Sequence, residues 1–121
     1  MLSISFFSNN GQKSHSIRVI DDFYEWLARS EFSKLIRSQV MNIELEGEMA
    51  ELRLVDLGTE TRSQLIDFLS ETIFRETRSM LGDLELSIAQ PELSVKTYRL
   101  KKLLEILDCM KSGIYQYLQC E

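Results

Sequence analysis

The sequence predicts an α+β fold: an antiparallel or mixed sheet of about five strands, in the order β-β-α-β-β-α-β-α, with helices packed on one face. Three observations predict it. Short segments alternate apolar and polar residues, the period of a half-buried strand. Between them lie stretches with apolar residues at i, i+3 and i+4, the period of a helix with one buried face. Turn-forming residues, Asn9-Asn10-Gly11 and Gly47, join neighbouring alternating segments and so favour antiparallel hairpins.

The elements follow in order. Leu2, Ile4 and Phe6 alternate with Ser3 and Ser5, and after the turn Ile17 and Val19 alternate with Ser16 and Arg18. This is a first hairpin, with the Phe6-Phe7 run leaving its inner face ambiguous. Asp21 or Asp22 can cap a helix through its carboxylate. Phe23, Trp26 and Leu27, then Phe32, Leu35 and Ile36, form its stripe, and Ser30 and Ser33 can divide it in two. The segment Asn42 to Leu57 follows. Ile43 and Leu45 oppose Asn42, Glu44 and Glu46, and beyond Gly47 Ala50, Leu52 and Leu54 oppose Glu51 and Arg53. It reads as a second hairpin with an acidic outer surface.

Gly58 ends that hairpin. Thr61 with Gln64 has the capping-box spacing and places a helix start near 61. Leu65, Ile66, Leu69, Ile73 and Met80 carry its stripe, and Gly82 is its expected terminator. Leu84, Leu86 and Ile88 alternate with Glu85 and Ser87 as a fifth strand, broken at Gln90-Pro91. The segment from Leu93 to Arg99 is open between strand and helix, with Ser94 or Thr97 as a possible cap. From Leu100 to Leu118, apolar residues at three and four residue intervals predict a long final helix.

With 121 residues, 44% of them hydrophobic, and one proline, the chain is expected to form one domain over 1–121 with a real core. Its net charge of −5 is concentrated, because residues 41–60 carry six acidic groups against one basic. Residues 61–92 add six against three, while both ends are slightly basic. Such a balance disfavours direct binding to nucleic acid or an anionic membrane, where phosphates reward clustered Lys and Arg. No stretch approaches the ~20 apolar residues of a membrane span. The first residues lack the basic and apolar regions of a signal peptide, so a cytoplasmic protein is expected. On one helix Cys109 and Cys120 would lie about 16 Å apart, too far for a disulfide.

The chemistry-bearing residues read mostly as structure. His15 is the sole histidine and sits on an alternating strand, where a surface or edge position is the ordinary reading. One histidine and two distant cysteines do not make a zinc site. Cys109 adjoins the Leu107 and Met110 stripe as a small hydrophobe. Lys96, Arg99, Lys101 and Lys102, with Tyr98 among them, form a short basic cluster best read as a solvated helix face. The isolated glycines make no phosphate loop. No cofactor, metal site or enzymatic activity is expected.

Glu44, Glu46, Glu48, Glu51 and Asp56 are the candidate partner-binding residues. Their ordinary reading is a solvated sheet face, and their functional reading is a docking surface for a basic protein. The expected function is accordingly a small protein-binding module, in concrete form an immunity protein or inhibitor that blocks a basic toxin, such as a nuclease domain. The alternative is an assembly module that forms a homodimer through the C-terminal helix.

Overall fold

The computed structural model describes residues 2–8, 13–45, 47–85 and 90–120. Among these the elements are β1 (Leu2–Ser8), β2 (Ser14–Val19), α1 (Asp21–Ala28), α2 (Phe32–Leu35), β3 (Ser38–Leu45), β4 (Glu48–Asp56), α3 (Thr59–Glu85), α4 (Gln90–Lys111) and β5 (Tyr115–Cys120). The strands form one antiparallel sheet in the order β2-β1-β5-β4-β3. The fold is therefore α+β with helices against the sheet, as the sequence predicts. Both hairpins, the helical segment between them and the helix after them appear in the expected order.

The last third departs from expectation. α3 does not stop at Gly82 but continues to Glu85, so Leu84 and Glu85 are helical; residues 86–89 of the expected strand lie outside the described residues. The helical state prevails because the two long helices are bridged side by side. Lys96 of α4 donates to Asp83, which is 8% exposed, and to Ser79 Oγ at 2.7 Å. Arg99 approaches Glu76 at 4.0 Å. Alternation over five residues is a weak local signal against such pairing.

Leu93 to Arg99 resolves as helix. Pro91 falls in the first turn of α4, where its missing N–H costs nothing. Ser94 and Thr97 lie inside the helix, with Thr97 Oγ1 bonded to the Leu93 carbonyl at 2.7 Å. The predicted final helix to Leu118 is corrected as well. α4 ends at Lys111, Gly113 takes a left-handed φ of 73° that favours glycine, and Tyr115–Cys120 is a strand. Ile114, Tyr117 and Leu118 match a helical interval by coincidence. Leu118 is instead fully buried between Phe6 of β1 and Val55 of β4. The two cysteines thus sit on different elements, both as free thiols.

Smaller boundaries also move. Ile20, not an aspartate, is the N-cap residue of α1 and makes no side-chain capping bond; Asp21 and Asp22 occupy the first turn, where the helix dipole favours them. The Ile20 N–H donates to Tyr98 Oη at 2.9 Å. α1 and α2 divide around Ser30, whose hydroxyl accepts from the Phe32 N–H at 3.2 Å. α3 starts at Thr59, two residues before the expected start, because the Gly58 carbonyl already accepts from the Arg62 N–H at 2.8 Å.

One core joins sheet and helices. Ile4, Phe6, Ile17, Val19, Val55 and Leu118 share a sheet face by strand register and alternation, and all lie in the principal buried cluster. Phe23, Leu27, Phe32, Leu65, Leu69, Leu103, Ile106 and Met110 supply the helix side. Phe6 therefore points inward and Phe7 outward, which settles the first hairpin. At about 25 cal/mol per Å² of apolar area removed from water, such a cluster is the main stabilising contribution.

Candidate functional site

The β3–β4 hairpin is longer than the rest of the sheet requires. Its strands pair from Ser38↔Val55 to Leu45↔Glu48, but β4 meets β5 only at Val55↔Leu118 and Asp56↔Tyr117. Beyond that junction the hairpin continues as a two-stranded ribbon for roughly 20 Å, at ~3.3 Å per residue. Gly47, at φ 84°, supplies the left-handed position of its turn.

Register sorts the ribbon into two rows. Met41↔Leu52, Ile43↔Ala50 and Gln39↔Leu54 lie on one side, Asn42↔Glu51, Glu44↔Met49 and Val40↔Arg53 on the other. The opposition of apolar to acidic residues is thus as expected. Its orientation is the surprise. Val55 faces the helices, so by alternation the polar row is on the helix side and the apolar row is on the opposite side. Ile43 and Leu54 are buried but stand apart from the principal cluster.

The candidate carboxylates do not form one face. Glu44 and Glu51 share the polar row. Glu48, opposite Leu45 at the tip, and Asp56, opposite Tyr117 at the base, share the other. Glu46 lies outside the described residues. Glu44, Glu48, Glu51 and Asp56 are all exposed, and among the described residues none is in a salt bridge. Asp56 instead borders an open cleft of about 540 Å³ with Lys34, Arg37 and Glu60.

Two residues that sequence reasoning passed over complete the polar row. Met49 is 69% exposed, the highest value among the exposed large apolar residues described, and Val40 is 54% exposed. Met49 stands directly across from Glu44, and Glu51 is two residues along the same strand. Counting by twos from Glu51 already places Met49 with the carboxylates, so its signal is present in the alternation. Arg53 ends the row, donating to the Ser38 carbonyl and hydroxyl at 3.4 Å each.

The competing features are accounted for locally. The basic cluster is largely engaged within the molecule. Besides the Lys96 and Arg99 bridges, Arg99 stacks 4.4 Å from the Trp26 ring, and Lys102 pairs with Glu105 at 3.4 Å. His15 is exposed on edge strand β2, across from Phe6. Burial pushes the Cys109 thiol upward, and Asp108 and Glu105 add to the effect. Burial alone carries Cys120 to about 12. Both are therefore neutral thiols near pH 7, poorly suited to nucleophilic attack. Among the described residues no group of His, Cys, Asp and Glu is placed to hold a metal ion, and no helix is long and apolar enough to cross a membrane.

Comparison with protein-family models, curated proteins and solved structures finds no significant match.

Proposed function

We propose that the chain is a protein-binding module that docks a basic partner through the polar row of the β3–β4 ribbon. One observation carries the reading: Met49, 69% exposed, stands in a row with Glu44 and Glu51, neither of them in a salt bridge among the described residues. An exposed apolar side chain beside unneutralised carboxylates is the makeup of an interface, where an apolar contact supplies the anchor and charge supplies steering.

In its concrete form the partner is a toxin domain, a nuclease being the best fit. A nuclease carries a cationic cleft for phosphates, and an acidic ribbon can occupy it. Glu44 and Glu51 are the principal contacts in this account, Glu48 near the turn is secondary, and Asp56 at the base is peripheral. The reading expects a toxin gene beside this one, and the test is co-expression of the chain with that toxin; a neighbourhood without one counts against the reading. Protection of the host by the wild type, lost in Glu44→Lys/Glu51→Lys, supports the reading; protection retained by the double variant refutes it.

Assembly through helices is the second reading, and a specific observation moves it. The end of the predicted seam, from Tyr115 on, is strand, but Phe74, Leu81 and Leu84 of α3 and Val95 and Leu104 of α4 are exposed. Sedimentation equilibrium distinguishes the two: a dimer dispersed by Phe74→Glu favours assembly, and a monomer disfavours it.

A further inference from the structure

A groove runs beneath α1 and α2, apart from the outer part of the ribbon. Its inner compartment, about 120 Å³, is walled by Ile4, Leu27 and Phe32. Its outer compartment, about 350 Å³, reaches across Val55 and Leu118 to Ser38 and Arg53. Tyr24, Ile36 and Cys120 line both, so the two compartments adjoin.

The lining has an unusual charge distribution. The protein carries −5 overall, yet among the described residues the groove is lined by no carboxylate and by one cation, Arg53. That guanidinium is exposed, and among the described residues it has no salt bridge; its bonds to Ser38 are long at 3.4 Å. Cys120, held neutral by its burial, keeps the middle of the groove uncharged.

We propose that this groove binds a small amphipathic carboxylate, an alkyl or aryl acid whose apolar end enters the Ile4–Leu27–Phe32 compartment and whose carboxylate meets Arg53. Apolar walls reward the hydrocarbon by removing it from water. Arg53 then offers the forked donors that match a carboxylate, and Ser38 Oγ stands beside it. An amine is opposed by the same arginine, and a neutral alcohol forfeits the charge-assisted bond. The groove and the polar row meet at Arg53, and the proposal does not require the ribbon to dock a protein.

The test is a titration of the full chain with 3-phenylpropionate, followed by methyl NMR and thermal shift. Saturable shifts at Ile4, Leu27 and Ile36 are expected, with binding at least about tenfold weaker for 3-phenylpropanol and for the Arg53→Gln variant, the loss that one charge-assisted bond implies. Cys120→Trp, which fills the shared section, should abolish the shifts. Arg53 is exposed, so its variant is expected to fold, and the alcohol comparison on the wild type stands without any variant. Absent shifts, or equal binding of acid and alcohol, overturn the proposal. A blocked peptide ending in a free-acid phenylalanine that binds more tightly than phenylpropionate would make a chain terminus the ligand and overturn the small-molecule assignment.

Discussion

The guanidinium of Arg62 donates to the carbonyls of Leu57, Met110 and Tyr115, at 3.3 Å to the first and 2.6 Å to the second. Three chain segments, the end of β4, the last turn of α4 and the start of β5, are tied by one side chain from the first turn of α3. Met110 is in the last turn of α4, whose carbonyls lack partners further along the helix, so Arg62 also acts as a C-terminal cap. Arg62→Ala should lower stability by about 2–3 kcal/mol, since it strips charged donors from partly buried carbonyls. The expected reading in urea is a lower midpoint at unchanged slope. Lysine should not restore it, because one ammonium cannot replace a planar fork.

Cys120 provides a second prediction at this scale. Its thiol moves from an ordinary 9.0 to about 12 in the folded chain, through burial. As pH rises past 9 the unfolded state loses that proton first, so the contribution of the neutral thiol is complete below pH 9 and is lost between pH 9 and 12. Cys120→Ala should flatten the decline of stability over that window relative to wild type; parallel curves would contradict the assigned burial. The burial is not readable from the sequence, where Cys120 resembles the frayed end of a helix.

At the scale of elements, two glycines separate the structure from the simplest sequence reading. Gly82 is the expected end of α3 but lies inside it, where an alanine methyl would meet nothing within 4 Å. Gly82→Ala should therefore stabilise the protein by about 0.5–1 kcal/mol through helix propensity. Gly113, at φ 73°, ends α4 in a left-handed conformation, and Gly113→Ala should cost about 1 kcal/mol. Thermal or urea unfolding of the pair reports opposite signs, and equal signs would contradict the helix boundaries.

The same contrast explains what was legible. The hairpins β1–β2 and β3–β4 are local: alternation and a turn a few residues away specify them. β5 is not local. Its partners are Leu2–Ser8, more than a hundred residues earlier, and the end of β4. Ile114, Tyr117 and Leu118 satisfy a helical spacing, yet Tyr115 to Cys120 is strand; the slot between β1 and β4 decides. The end of α3 likewise depends on Asp83 meeting Lys96 across the helical pair.

For the whole molecule, β5 is the keystone, bridging two sequence-local hairpins into one sheet. The short β4–β5 junction leaves the outer part of β3–β4 as a ribbon, so the element that closes the fold also exposes the candidate site. The acidic and apolar rows can be read by counting residues. Which row faces the helices cannot, because that follows from Val55 pairing with Leu118. The split of Glu44 and Glu51 from Glu48 and Asp56 is present in the alternation, yet a cluster of acids close in sequence suggests one patch.

The central claim is that Glu44 and Glu51 steer a basic protein onto the ribbon. Its most direct test is the association rate of the purified partner across a range of ionic strengths, for wild type and for Glu44→Lys/Glu51→Lys. Glu25→Lys, a charge reversal on the exposed side of α1, is the control. The account predicts a wild-type rate that falls steeply with salt, a double variant slower by at least about tenfold at low salt, and a control near wild type. Equal rates for wild type and the double variant at low salt would contradict it.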